Sequence, residues 1–401
     1  MMSPHRLSIA LLGTALSLLF QTAQAQDPAT PTWHDNVQFH GFVAQNYILT
    51  DDNNFFGDSE DGSFEFWELG FNTLWRPLSN LQFAAQLVSR DAGETDDGDP
   101  RFDYAFVDYS FAHRSTGSTG LRVGRVVNPF GFYNDTRDIA ATRPGILLPQ
   151  SIYFDVNRNF ALSSDGVQLY HETGDYNGIY SFQLGVFDPR TEDPDFEPAI
   201  FFQNVPGKLE GTTSWMARLI YDRDLGRIRL GLTVSEVNVD YNPGAMDPIA
   251  PGEFHFRPII LSAQYNNEFW SLTAEYSRRT TQLEKFGGPL EVKFTGSSYF
   301  VQGTYRLRPA WEAFVRYDEL IWNNDDRNGK EFESLTGLPN YSRFAKDWTL
   351  GLRWDVTPRF MLRTEWHQVN GTGWLSLLEN TTPSAAEQHW QLFALSASYR
   401  F

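Results

Sequence analysis

From residue 37 onward, hydrophobic positions recur with a period of two, the spacing of a strand with one apolar face. In 79–90, Leu81, Phe83, Ala85 and Leu87 alternate with Asn80, Gln82, Ala84 and Gln86. In 227–237, Ile228, Leu230, Leu232 and Val234 oppose Arg227, Arg229, Gly231 and Thr233; in 347–356, Trp348, Leu350, Leu352 and Trp354 oppose Thr349, Gly351, Arg353 and Asp355. The pattern predicts sixteen strands: 37–49, 63–75, 79–90, 102–113, 119–127, 164–173, 178–187, 212–222, 227–237, 255–266, 268–278, 297–307, 311–322, 347–356, 360–369 and 388–401. Boundaries read this way slip by about two to four residues, so the total lies between fourteen and eighteen. Such strands would suit a soluble sandwich as well as a barrel.

The links separate the two. Long links (50–62, 91–101, 128–163, 188–211, 238–254, 279–296, 323–346, 370–387) alternate with short ones of one to five residues. A sandwich has no reason to keep this parity. A transmembrane antiparallel β-barrel does, with short turns at one rim, longer loops at the other and an even strand number. Strands of about ten residues suit a tilted crossing, and closure leaves no unpaired edge in lipid. The expected fold class is therefore all-β, a barrel over 37–401.

The N-terminus predicts export. His5 and Arg6 precede a 14-residue apolar stretch, Leu7 to Phe20, and Ala23-Gln24-Ala25 supplies an A-x-A cleavage site. Residues 1–25 are thus a signal peptide and 26–36 a short N-terminal segment. At the other end Phe393, Leu395, Ala397, Tyr399 and Phe401 alternate with smaller or polar residues. This closing strand resembles the C-terminal signature of Gram-negative outer-membrane barrels, which implies that Tyr399 and Phe401 are read during membrane insertion.

The link 128–163 is the longest and mixes apolar pieces (Ile146-Leu147-Leu148, Ile152-Tyr153-Phe154) with Asp135, Arg137, Asp138, Arg143, Asp155 and Arg158. Pro129 ends pairing at its start. An exposed loop would be more polar, so either it packs inside the barrel or it forms an external cap or interface. At this point the chain resembles the general Gram-negative porin superfamily. The resemblance implies sixteen strands, a loop after strand five folded into the lumen as a constriction, and a passive channel for ions or small hydrophilic solutes. Phosphate-selective porins are a nearer comparison by loop length. Their lysine clusters are missing, since Lys208, Lys285, Lys293, Lys330 and Lys346 all fall in links.

The register turns Arg90, Arg122, Arg218, Arg229, Arg306, Arg316, Arg353 and Arg363 inward, together with Glu68, Asp108, Asp222, Glu275, Glu312, Asp318, Asp355 and Glu365. Arg316, Arg353 and Arg363 come from successive strands and are expected to form a basic wall facing Asp135, Asp138 and Asp155. Such opposed rings set selectivity; mutually paired ions stiffening the wall are the other reading. Arg125 falls outward on strict alternation, which predicts a bulge near Gly124.

Composition then changes three things. The chain has 33 Phe, 17 Tyr and 12 Trp at a mean hydropathy of −0.40. Lipid-facing girdles account for them, with Trp67, Trp75, Trp215, Trp270, Trp311, Trp348, Trp354 and Trp366 outward. A net charge of −18 argues against nucleic acid as a partner. That charge sits chiefly in 50–62, 91–100 and 188–211, so it describes the outer mouth. With no cysteine, thiolate chemistry is absent. Acidic loops can hold divalent cations, and Asp96, Asp97 and Asp99 are the nearest candidates, but they match no ligand spacing and no metal or cofactor is expected. The histidines are scattered, without H-E-x-x-H, and there is no G-x-S-x-G. No enzyme is expected. Expected partners are outer-membrane lipid, lipopolysaccharide, small hydrophilic solutes or ions, and two further copies in a homotrimer. The remaining readings are a non-conducting adhesin or receptor barrel and a barrel hydrolase.

Overall fold

The computed structural model describes residues 36–114, 116–203, 205–287 and 290–401. The expected signal peptide lies outside the described residues. The strands are β1 Val37–Thr50, β2 Trp67–Leu78, β3 Leu81–Asp91, β4 Arg101–Arg114, β5 Gly117–Val127, β6 Ser163–Asp175, β7 Gly178–Pro189, β8 Lys208–Arg223, β9 Ile228–Asn242, β10 Gly252–Asn266, β11 Trp270–Glu284, β12 Val292–Arg308, β13 Trp311–Ile321, β14 Phe344–Asp355, β15 Phe360–Asn370 and β16 His389–Arg400. Each pairs antiparallel with its sequence neighbours, and β1 pairs with β16, from Phe42↔Arg400 to Thr50↔Leu392, so the sheet is a closed barrel. Closure satisfies every strand's backbone from within, the condition for lying in hydrocarbon. Among the described residues no helix is long and apolar enough to cross a membrane.

The outer face carries the apolar residues. Leu230, Leu232, Ile259, Leu261, Leu272, Val301, Val315, Leu350 and Leu395 are all exposed, and Trp75, Trp215, Trp270, Tyr276, Tyr305, Trp348 and Trp354 stand among them. A band of that size in water would be an aggregation site; in lipid it is solvated.

β8 to β12 run 15–17 residues, longer than the spans the sequence pattern predicts for them. On β8 the extension begins at a register shift between Thr212 and Trp215; on β9 to β12 the cause is a chemical switch without a change of register. On β9, Leu230, Leu232 and Val234 face out, whereas farther along Val237, Val239 and Tyr241 are buried inward and Glu236, Asn238 and Asp240 face out. β11 switches likewise between Tyr276 and Arg278. Outside the switch is water, so the outward side must be polar and the apolar side turns in. There Val237, Val239, Tyr241, Phe254, Leu283 and Phe286 pack against Phe160, Phe196 and Phe201 from two links.

Register shifts fall elsewhere than near Gly124. One lies in β3–β4, where Gln86 pairs Tyr104 and Leu87 pairs Phe102, leaving Asp103 as the extra residue. At Gly124 the pairing is continuous (Phe106↔Gly124, Ala105↔Arg125). Arg125 faces outward without a bulge because Asp165 neutralises it through two bonds of 2.8 and 2.9 Å. Gly124 is required there by its φ of +126° and by the carbonyl of Ala105, which sits where a Cβ would go.

Gly351 on β14 is covered by the Phe314 ring from the neighbouring strand. Gly351→Val is therefore expected to displace Phe314 and lower stability by about 1–3 kcal/mol. Denaturant unfolding of the detergent-folded barrel measures this; an unchanged midpoint would contradict the packing.

Candidate functional site: the inner loop and the mouth

The link 128–162 is closed at its neck by two asparagines. Asn134 Nδ2 donates to the carbonyls of Asn128, Ala161 and Leu162 at 2.9–3.0 Å, and Asn128 Nδ2 donates to Ser164 Oγ at 3.0 Å. The helix Arg158–Leu162 then leads into β6. Between these ends the chain hydrogen-bonds to inward-facing side chains of eight strands, β2, β3, β8, β9, β11, β13, β14 and β15.

Carboxylates on the wall receive its amides. Glu275 of β11 accepts from Phe132 N (3.0 Å) and from the Tyr153 hydroxyl (2.5 Å). Asp318 of β13 accepts from Ser151 N at 3.1 Å and from the Ser151 hydroxyl. Glu365 of β15 accepts from Leu147 N at 3.2 Å and from Ile146 N, and His367 Nε2 lies 3.2 Å from it. Arginines of the wall donate to the loop's carbonyls: Arg218 to Gly131 (2.8 Å), Arg316 to Leu147 (3.1 Å), Arg279 to Ser151 (3.2 Å), Arg353 to Ala141 (3.5 Å), and Arg363 to Gly145. A loop buried in this way would otherwise carry unpaired peptide groups at a cost of about 1–3 kcal/mol each. The wall charges supply the missing partners.

The loop's own charges distribute differently from the expected opposition. Asp135 meets Arg218 Nη2 of β8 at 2.6 Å. Asp138 pairs with Arg158 inside the loop. Asp155 lies 3.1 Å from Arg90, 3.3 Å from Arg137 and 3.6 Å from Arg158. Arg143 grips Glu68 of β2, with one bond of 3.1 Å. None of the three aspartates faces Arg316, Arg353 or Arg363. Of that expected wall, Arg316 and Arg363 are 1% and 4% exposed, covered by the loop, so they act as fasteners and do not line open space.

The charges left accessible lie on β5, β8, β9, β12 and β14 and on the loop itself. Arg229 is 32% exposed, 3.3 Å from Asp222, with its guanidinium 4.7 Å from the Phe132 ring centre. Arg122 is 30% exposed, bonded to Asp108 (3.0 Å) and Gln168 (2.9 Å) and stacked on Tyr170. Arg353 bonds Asp355 at 3.0 Å, Arg306 is exposed at the short-turn end of β12, and Asp135 is 40% exposed. Arg122–Asp108 and Arg229–Asp222 are like-strength pairs, so the accessible interior is close to balanced.

Sequence reasoning placed Glu275, Asp318 and Glu365 inward but missed their use as loop anchors, because the amides they bind carry no sequence signal. Arg279 was read into a link through the switch on β11. Asp96 is engaged by arginines: Arg101 takes both its oxygens at 2.7 and 2.6 Å and Arg90 donates at 3.2 Å. Tyr399 and Phe401 stack 6.4 Å apart, and Phe401 exchanges backbone bonds with Gly41 at 2.9 and 3.0 Å, closing the barrel seam.

At the long-loop rim the link 371–388 ties three others together. Glu379 accepts from Phe56 N (2.9 Å) and Gly57 N (2.7 Å), Ser376 Oγ meets Asp195 at 2.6 Å, and Tyr341 donates to Ala386 O at 2.8 Å. Phe55, Phe56, Phe66, Trp374 and Trp390 form one buried cluster beneath, with Ile146 and Leu147 of the inner loop. Burial, reinforced by the nearby Asp195 and Glu65 carboxylates, pushes Glu379 up to about 7; burial and Asp193 push Asp195 up to about 6. A carboxyl raised in the folded state stabilises the contact most at low pH, below its unfolded value, and loses that contribution as pH rises through the folded one. Exchange of the Phe56 and Gly57 amides, corrected for intrinsic rate, is thus expected to accelerate between about pH 5 and 8. Glu379→Gln flattens that rise, and identical profiles for the two proteins would refute the assignment.

No family model matches the sequence. No curated protein matches it either. Solved structures match in fold. The outer-membrane channel DcaP of Acinetobacter baumannii aligns with a TM-score of 0.61 at 12% identity, over 91% of this chain and 97% of that one. Salmonella typhi OmpF, solved with daunomycin, gives 0.56 at 13% identity over 92% and 99%. The anion-selective porin of Comamonas acidovorans gives 0.55 at 12% identity over 91% and 99%. At these identities the likeness is one of fold: the chain is a closed, sixteen-stranded antiparallel barrel, similar in architecture to these outer-membrane proteins.

Proposed function

We propose that this protein is a porin of the Gram-negative outer membrane, a passive diffusion channel for ions and small hydrophilic solutes. The observation that carries the reading is a closed barrel with an apolar outer band whose interior is charged and crossed by one loop fastened to its wall. Transport of this kind needs no cofactor and no chemistry; width and lumen charge do the selecting. The long-loop rim is then extracellular and the short-turn rim periplasmic. The selecting residues are the accessible ones, Asp135, Arg122, Arg229, Asp222 and Arg353, with the buried Asp108 holding Arg122 in place and Arg137, Asp138, Arg143, Asp155 and Arg158 holding the loop in shape.

The assembly proposed is a homotrimer in contact with lipopolysaccharide. Support comes from the β5–β6 face. Its apolar stripe is only Leu121, Val123, Val167 and Leu169, between the Thr119–His171 bond of 2.8 Å and the outward Arg125–Asp165 pair. Four residues of strand span about 13 Å, half the roughly 25 Å of a lipid-facing band. A second copy covers such a face at lower cost than hydrocarbon does.

One observation favours a second reading, a non-conducting receptor: the packing of 371–388 across the rim. Swelling of proteoliposomes in isotonic sugars distinguishes the two. Swelling that slows with increasing sugar size supports the channel. Correctly folded protein that gives no swelling even with the smallest sugar supports the receptor.

A further inference from the structure

Beyond the bilayer switch, β9, β10 and β11 present an outward surface that the channel reading does not use. There His255 of β10 stands between Asn238 of β9 and Gln282 of β11, and Glu253 stands opposite Glu284. The Asn238 amide is oriented by its Nδ2 donating to Thr213 O at 2.9 Å, so Oδ1 is the atom 2.7 Å from His255 Nδ1. Nδ1 therefore carries the hydrogen. Nε2 faces two carboxylate oxygens, Glu284 Oε1 at 3.2 Å and Glu253 Oε2 at 3.5 Å, and in the neutral ring its lone pair points at both. A lone pair facing two anionic oxygens is repulsive unless a cation lies among them.

From this geometry we propose that Glu253, His255 and Glu284 form a site for one divalent transition-metal ion of the zinc class. The ligand atoms all lie within 4.8 Å of one another. Donors about 2.0–2.1 Å from a tetrahedral ion sit about 3.4 Å apart, close to the separations seen. The outer atoms are also held from beyond the trio. Lys285 Nζ binds Glu253 Oε1, Gln282 Nε2 donates to Glu284 Oε2 at 2.5 Å, and Asn238 fixes the ring. Such supporting partners set ligand orientation in metal sites. One imidazole with two carboxylates favours zinc or its late-row neighbours over calcium, which takes six to eight oxygens. The side chains are 13%, 28% and 38% exposed for His255, Glu253 and Glu284, so a coordination position stays open to water. The bound ion straps β10 to β11 above the lipid, in place of a proton on Nε2.

The test is zinc titration of the full-length, detergent-folded protein after chelator treatment, followed by calorimetry. One Zn²⁺ per chain is expected, undisturbed by millimolar Ca²⁺. His255→Ala and Glu284→Gln should each weaken binding at least about ten-fold, while Asp97→Asn in a separate acidic link leaves it unchanged. Heat-modifiable electrophoretic mobility verifies folding of each variant. No stoichiometric zinc on the parent protein, or equal zinc on His255→Ala and Glu284→Gln, would overturn the site; so would displacement by calcium.

Discussion

Glu365→Ala is expected to free the tip of the inner loop and to lower the unfolding free energy of the detergent-folded barrel by about 3–5 kcal/mol. Glu365 is 1% exposed and accepts from the amides of Ile146 and Leu147 while its other neighbour is His367. Alanine leaves two buried N–H groups without acceptors and leaves His367 Nε2 unpartnered, held only through Nδ1 by Asp347 at 2.7 Å and Thr349 at 3.2 Å. The apolar side chains compete with this effect, because Ile146 and Leu147 are 0% and 2% exposed and each contributes about 1.5–3 kcal/mol by burial. They do not rescue the loop: keeping them buried means keeping both amides unpaired at that depth. The loop is therefore expected to move, and under the channel proposal the current becomes noisier while the barrel loses stability. Glu365→Gln retains the shape and one acceptor oxygen, so it falls between the two. Urea midpoints with unchanged slope measure the loss, and a variant as stable as the parent would show that Glu365 does not hold the loop.

Arg229→Glu is expected to raise the cation-to-anion permeability ratio roughly three- to ten-fold. The arithmetic is elementary. A unit charge about 5 Å from a passing ion is worth roughly 0.8 kcal/mol in water, and reversing it doubles the change. At 0.1 M salt the screening length of about 10 Å removes part of this, and the effect grows as salt is diluted. Arg229 meets the conditions because it is a third exposed and its carboxylate partner Asp222 is equally so. Arg316→Ala is the instructive contrast. Its guanidinium lies under Leu147 and Gln302, so its loss disturbs the loop more than the ion balance. Reversal potentials in a salt gradient read both variants. A selectivity change in Arg316→Ala with none in Arg229→Glu would place the narrow zone along β13, a quarter of the way round the barrel from β9.

Much of this barrel is legible in its sequence because lipid imposes a strict period of two and the loop parity follows from a one-sided rim. Sixteen strands and their inward charges come out of that rule alone. What the rule cannot show is where lipid stops. On β9 the run Val234, Val237, Val239 reads as a broken pattern, whereas the strand continues and only its surroundings change. For that reason the pattern alone shortens β9 to β12, and a register shift hides the start of β8. The inner loop escapes for a different cause. Periodicity tells which face Arg316 and Glu365 occupy but not whether water or a peptide group meets them there. The thirty-five residues of 128–162, outside any repeat, decide it, through backbone donors and acceptors that every residue type possesses. Arg125 shows the same limit in reverse, since an outward charge was assigned to a bulge when the partner that tolerates it, Asp165, lay 40 residues away.

Single-channel recording of the folded protein in a planar bilayer tests the central claim most directly. Discrete, ohmic conductance steps that scale with salt concentration are predicted, with Arg229→Glu shifting the zero-current potential toward cations at similar step size. A folded, membrane-inserted protein that produces no steps at any salt concentration would contradict the channel.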